Sequence, residues 1–144
     1  MRAIRTHDFM YIRNFAPDRW PAGDPNGLET PRAQPFSFEQ LADRTQHALA
    51  DIDAGPTKAW LVHHREQSGV ANFYRLAAGK RPERELYDLR SDPQQLKNVA
   101  AEPRYSKDVA RLDQQLMAEL KKTGDPRAHG RGYVFETYPY LQRV

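Results

Sequence analysis

The sequence predicts an α+β fold, a small antiparallel sheet with a long C-terminal helix packed across one face. Three observations carry this expectation. Residues 2–6 and 9–15 read as a β-hairpin about His7-Asp8, with Met10 and Ile12 on one face and Phe9, Tyr11 and Phe15 on the other. Residues 84–89 supply a third strand, because Leu86, Tyr87 and Leu89 are of the types that favour a pleat. Tyr105, Val109, Leu112, Leu116 and Leu120 then recur at helical spacing over 103–122.

The hairpin leads into a loop from Pro17 to Pro35, with five prolines, two glycines and Trp20 as the expected anchor. Additional helices come from the insertion over 36–78. The first opens at Ser37, with Gln40 at the third helical position and Phe36 and Leu41 as the staple pair. Phe38, Leu41, Ala48, Leu49 and Ile52 carry its apolar stripe to a stop at Gly55-Pro56. A second helix is expected from Thr57 through Glu66, anchored by Trp60 and Leu61, and a third from Val70 to Ala78, ended by Gly79. After the central strand, Asp92, Pro93 and Gln95 occupy cap, first and third positions of a short helix whose Leu96 and Val99 press back on the strand. Pro103 starts the longest helix, and Gly124 and Pro126 stop it. The remainder, 127–144, is expected as an extended docking tail bearing Tyr133, Phe135, Tyr138 and Tyr140.

The chain of 144 residues suits a single domain over 1–144 with one modest core, since only 39% of residues are hydrophobic and 28% are charged. A net charge of +3 does not argue for nucleic acid, which needs clustered cations. With no cysteine there are no disulfides, thiolate metal sites or cysteine nucleophiles. No apolar run approaches a membrane span, and the first residues lack a signal-peptide core. The chain begins almost inside a strand, so it reads as a fragment.

Glu85-Leu-Tyr-Asp-Leu-Arg-Ser-Asp92-Pro93, followed by Asn98, resembles the strand-and-turn signature near the C-terminus of the sulfatase family, within the alkaline-phosphatase-like superfamily. Glu85, Leu86, Tyr87, Asp88, Leu89, Asp92, Pro93 and Asn98 carry it, and Gln95 stands where that family usually has an acid. Arg2-Ala-Ile-Arg-Thr-His-Asp-Phe-Met-Tyr-Ile-Arg-Asn-Phe15 resembles the family's preceding hairpin. Thr123-Gly-Asp-Pro126 resembles its ending, closest to the heparan N-sulfatase (sulfamidase-like) branch. The resemblance implies the C-terminal subdomain of a hydrolase of sulfate esters or sulfamates on carbohydrate, flanking the catalytic domain and the substrate cleft. It also implies Ca²⁺ and a formylglycine in that absent catalytic domain, none in this chain, and a periplasmic or secreted parent.

Sulfatases make their formylglycine from a C/S-x-P-x-R motif, and its hydrate attacks sulfur beside a divalent cation. Ser91-Asp-Pro-Gln-Gln95 copies only the Ser-x-Pro half and reads as a turn. No catalytic residue and no metal ligand is therefore assigned. Adjacent His63 and His64 point about 100° apart on a helix and do not chelate together. Arg2, Arg5, Arg13 and Arg19 are either a basic surface beside an anionic substrate or a solvated strand face with carboxylate partners. Arg5 and Arg13, expected near each other, join Lys80 and Arg81 as substrate-face candidates. The competing reading is a free-standing anion- or nucleic-acid-binding module built on the arginine-bearing hairpin. The expected partners are the parent's catalytic domain and, for the parent, sulfated carbohydrate, with no nucleic acid and no membrane. An unpaired strand edge and exposed tail aromatics make a homodimer possible for the isolated fragment.

Overall fold

The chain runs β1 (Arg2–Arg5), β2 (Phe9–Arg13), α1 (Phe38–Asp43), α2 (Pro56–His63), α3 (Ala71–Ala78), β3 (Arg84–Asp88) and α4 (Ser106–Lys122). These elements belong to a computed structural model that describes residues 1–28 and 36–138. Part of the proline-rich loop (29–35) and Tyr140 of the tail lie outside the described residues. Two compact units result, one of Met1–Ala16 with the chain from Pro82 onward, the other of Pro17–Arg81. One core is expected from the composition, but each unit gathers its own apolar cluster.

The first unit holds the α+β architecture. Its antiparallel sheet has the order β1-β2-β3, so β2 is central. Thr6 closes the hairpin: its amide donates to the Phe9 carbonyl at 2.8 Å, and its hydroxyl accepts from the Phe9 amide at 3.0 Å. Phe9 and Tyr11 from β2 and Leu86 from β3 bury against Val109, Leu112 and Leu116 of α4, with Val99 filling the same cluster. A 3-10 turn over Pro103–Tyr105 leads into α4, and Lys121 and Lys122 complement the helix dipole in its last turn. Gly124, at φ +73°, takes the left-handed conformation that ends it.

The segment after β3 departs from the short helix expected there. Asp92 does cap, but it caps a turn: its carboxylate accepts the Leu96 and Lys97 amides at 3.1 and 2.8 Å, and its carbonyl accepts from Gln95. Gln95 sits at φ +59°, a conformation that cannot propagate a right-handed helix. The chain then passes along the outer edge of β3, where the Val99 amide donates to the Leu86 carbonyl at 2.8 Å. Val99 is buried as expected, whereas Leu96 is 59% exposed. The described part of the tail is not extended either, since Pro126–His129 and Gly132–Glu136 wind into 3-10 turns.

In the second unit the Ser37 capping box forms as read, with both reciprocal bonds present. The helix it starts stops at Asp43 and does not reach Ile52. The cause is Lys58, only 4% exposed, whose ammonium donates to the carbonyls of Thr45, Leu49 and Ile52. Carbonyls turned toward one buried cation are not aligned for a helical ladder, and Leu49 adopts φ +50° to aim its own. α2 begins on Gly55 with Pro56 in its first turn and ends at His63, three residues before Glu66. Ala59 and Val62 anchor it, while Trp60 stays 46% exposed. The loop before it is tied down by backbone rather than by Trp20 alone. Leu49 and Asp51 amides donate to the Asp24 and Ala22 carbonyls, and a side chain at Gly23 would meet the Ala50 nitrogen at 2.9 Å.

Leu112 is fully buried and Leu96 is not, so their alanine variants separate the two. Urea melts should show Leu112→Ala losing about 2–5 kcal/mol, and Leu96→Ala remaining within about 0.5 kcal/mol of the parent.

Candidate functional site

The signature residues converge in the first unit, on β2, β3 and the corner that follows. Glu85 is 3% exposed yet fully engaged: it accepts from the Asn14 amide group at 2.8 Å and, through its other oxygen, from the Tyr87 hydroxyl in a short bond. The second Asn14 proton goes to the Pro82 carbonyl at 2.7 Å. Asn98 acts as a piece of strand. Its side-chain oxygen accepts the Leu86 amide at 2.9 Å and the Ala100 amide at 3.0 Å, and its nitrogen donates to the Arg84 carbonyl at 3.3 Å.

Asp88 accepts both arms of the Arg90 guanidinium, at 2.8 and 2.7 Å, and the Tyr105 hydroxyl at 3.0 Å. The Arg90 fork, aided by Tyr105 and the Arg90 amide, outweighs burial and lowers the Asp88 pKa from 3.8 to about 2. The Asp88 carbonyl takes the Ser91 and Asp92 amides, which explains Ser91 as a turn residue.

On the helix-covered side, Asp113 accepts from the Tyr11 hydroxyl at 2.8 Å and from Arg13 at 2.7 Å, and Arg13 also reaches Glu83 at 3.2 Å. Burial, then the Asp113 hydrogen bond, pushes the Tyr11 hydroxyl well above its ordinary value. Burial opposes ionisation of Asp113, but its bonds to Arg13 and Tyr11 still hold its pKa below normal. On the edge strand β1, Arg2 pairs with Asp125 at 2.6 Å, and the same carboxylate caps the Pro126 turn through the Arg127 amide. Arg127 lies over the Phe135 ring, 3.7 Å from its centre.

These bonds join the three recognised stretches. Arg2 of the hairpin meets Asp125 of the ending, and Asn14 of the hairpin meets Glu85 of the strand. The strand register does not bring Arg5 to Arg13: Arg2 faces Arg13, and Arg5 faces Met10. Because faces alternate along a strand, Arg5 lies on the side away from Tyr11, exposed to solvent. In the second unit Lys80 sits 5.2 Å from the Trp20 ring, and Arg81 donates to the Leu76 carbonyl. His63 and His64 do not chelate together; each packs on an aromatic ring, Phe38 and Trp60 respectively. That unit also carries a half-open pocket of about 330 Å³, whose lining includes Leu49, Ile52, Pro56, Leu61, Val62 and Ala77.

What this arrangement does is hold shape. Among the described residues no group of three or more His, Cys, Asp or Glu side chains is placed to hold a metal ion. The formylglycine that the resemblance implies has no cysteine to arise from, and Gln95 replaces the motif's arginine after Ser91. The described residues therefore do not fit either group. Among the described residues no helix is long and apolar enough to cross a membrane. Sequence reading missed the pairing of Asp113 and Asp125 with arginines 100 and 123 positions away, and missed Lys58 altogether. A lysine between apolar neighbours on a short helix was the one available signal for the last.

Comparison with known proteins follows the same direction. Over 125 residues, 87% of its length, the chain is 30% identical to an ulvan-active sulfatase of Formosa agariphila. The chain is similar to a segment of a sulfatase. It spans 17% of that relative's length. No protein-family model and no solved structure matches it.

Two measurements check this reading of the signature. Asn98→Ala leaves the Leu86 amide unpaired at the sheet edge and should cost about 1–3 kcal/mol in a urea melt. Asp88, ionised more readily in the fold than in the unfolded chain, contributes stability above its ordinary 3.8 that disappears as pH falls through about 2. Urea midpoints taken from pH 7 to 2 should fall across that window, and Asp88→Asn should lower the midpoint at pH 7 and flatten the acid limb.

Proposed function

We propose that the chain is the C-terminal subdomain of a sulfatase, a hydrolase of sulfate esters or sulfamates on carbohydrate. It flanks the catalytic domain and helps wall the substrate cleft, and the nucleophile and the metal site belong to that domain. One observation carries the reading: three separate stretches that resemble sulfatases are tied to one another by direct bonds, Arg2 to Asp125 and Asn14 to Glu85. The 30% identity to part of an ulvan-active sulfatase supports it.

On this reading the signature is architectural, and exposed cations such as Arg5 and Lys80 are the groups available to a sulfated substrate. Arg13 is already committed to two carboxylates, and Arg81 to a carbonyl. Thr123-Gly-Asp-Pro126 favours a heparan N-sulfatase-like branch, whereas the relative's substrate favours ulvan.

The test is a chimaera in which this chain replaces the matching segment of the ulvan-active sulfatase. Sulfate release should persist in the chimaera, and the chain alone should release none from an aryl sulfate with added Ca²⁺. Metal-dependent turnover by the chain alone, or a folded chimaera with its formylglycine formed but no turnover, would overturn the proposal.

A further inference from the structure

The second unit presents aromatic side chains outward where a helix of its size would bury them. Trp60 is 46% exposed and Phe38 38% exposed. The Trp60 indole stacks on the His64 imidazole, centroids 4.7 Å apart and planes 24° from parallel. His64 Nδ1 donates to the Trp60 carbonyl at 2.8 Å, so the imidazole is held against the indole. The neighbouring His63 tilts against Phe38 with centroids 5.9 Å apart. Glu39, one residue beyond Phe38, places a carboxylate within electrostatic reach of His63. α2 itself is rigidly seated, through burial of Ala59 and Val62 and through the three carbonyl bonds of Lys58. The stacked histidine occupies one face of the indole, which stays 46% exposed to solvent.

We infer that Trp60 of α2, with His64 behind it, His63 on the same helix and Glu39 of α1 near His63, forms a stacking platform for a pyranose ring of a saccharide chain. A sugar ring offers a flat apolar C–H face and a rim of hydroxyls. The platform offers a fixed aromatic plane with imidazole and carboxylate groups to pair with that rim. Other occupants fit less well. Single-stranded nucleic acid needs cations interleaved with its stacking rings, and here a carboxylate stands beside them. A stable protein partner needs a broad interface with an apolar centre, whereas the centre here is one indole flanked by titratable groups. The choice of a saccharide rests on the carbohydrate-sulfatase reading; the rigid, outward-facing stack does not. Recognition is directed at the sugar ring and not at its sulfate.

Tryptophan fluorescence reads this surface directly. In a Trp20→Phe background Trp60 is the sole emitter, and the protein is titrated with a heparin-derived oligosaccharide and with the same oligosaccharide after chemical desulfation. Both should give a saturable change in Trp60 emission, with the desulfated chain binding at least as well. Trp60→Ala and Trp60→Leu, followed by calorimetry, should each weaken binding at least about tenfold, with circular dichroism unchanged. No saturable change with either chain would overturn the inference. So would binding that needs sulfate, vanishes at high salt and survives the Trp60 substitutions. An active chimaera without this binding rejects the platform alone, and binding with an inactive chimaera rejects only the sulfatase reading.

Discussion

The first unit depends on how the outer edge of β3 is closed. A three-stranded sheet has two edges, and an edge strand in water is a template for unwanted pairing. Here the Asn98 carboxamide and the Val99 amide bond to Leu86, so that a side chain and one backbone group replace a fourth strand. The same step delivers Val99 into the core and aims the chain at Pro103, where the long helix begins. An asparagine is suited to this place because it carries donor and acceptor together at the spacing of a peptide group. The turn on Asp92 and the left-handed Gln95 serve to bring Asn98 there.

A comparable substitution of side chain for backbone organises the second unit. Residues 45–52 lack the hydrogen bonds of a continuous helix, yet Ala48 and Leu49 are buried. One ammonium group satisfies three of their carbonyls, which makes an irregular segment affordable inside an apolar cluster. Burial pulls the Lys58 pKa down, with Asp53 acting in the opposite sense.

Local chemistry made much of this legible beforehand. The Ser37–Gln40 box, the His7-Asp8 turn, the strand expected over 84–89 and found over Arg84–Asp88, and the Leu112–Leu116 stripe each follow from residues a few positions apart. The failures share a cause. Helix 36–52 was cut short by a lysine six or more residues beyond it, and the capped segment after Pro93 was drawn into pairing with Leu86. Tertiary partners override local propensity in both places. The expected proximity of Arg5 and Arg13 failed on the hairpin's own pairing, which sets Arg5 beside Met10 and leaves Arg13 three residues further along, on the opposite face. Of the candidate site, the signature residues were identifiable, but not that Glu85 and Asp88 would be buried and paired.

Arg13 on β2 stands opposite Arg84 on β3, and the Asn14 amide donates to the Glu83 carbonyl at 2.8 Å. The points where the chain leaves the sheet for Pro17–Arg81 and returns from it are therefore adjacent. Topologically, the whole second unit is a hairpin loop that has grown into a folded body. Such a graft places few demands on its host: a lineage can lengthen, replace or delete it while the sheet beneath closes with an ordinary turn. Change in that unit can then proceed on its own schedule, with the surrounding architecture held constant.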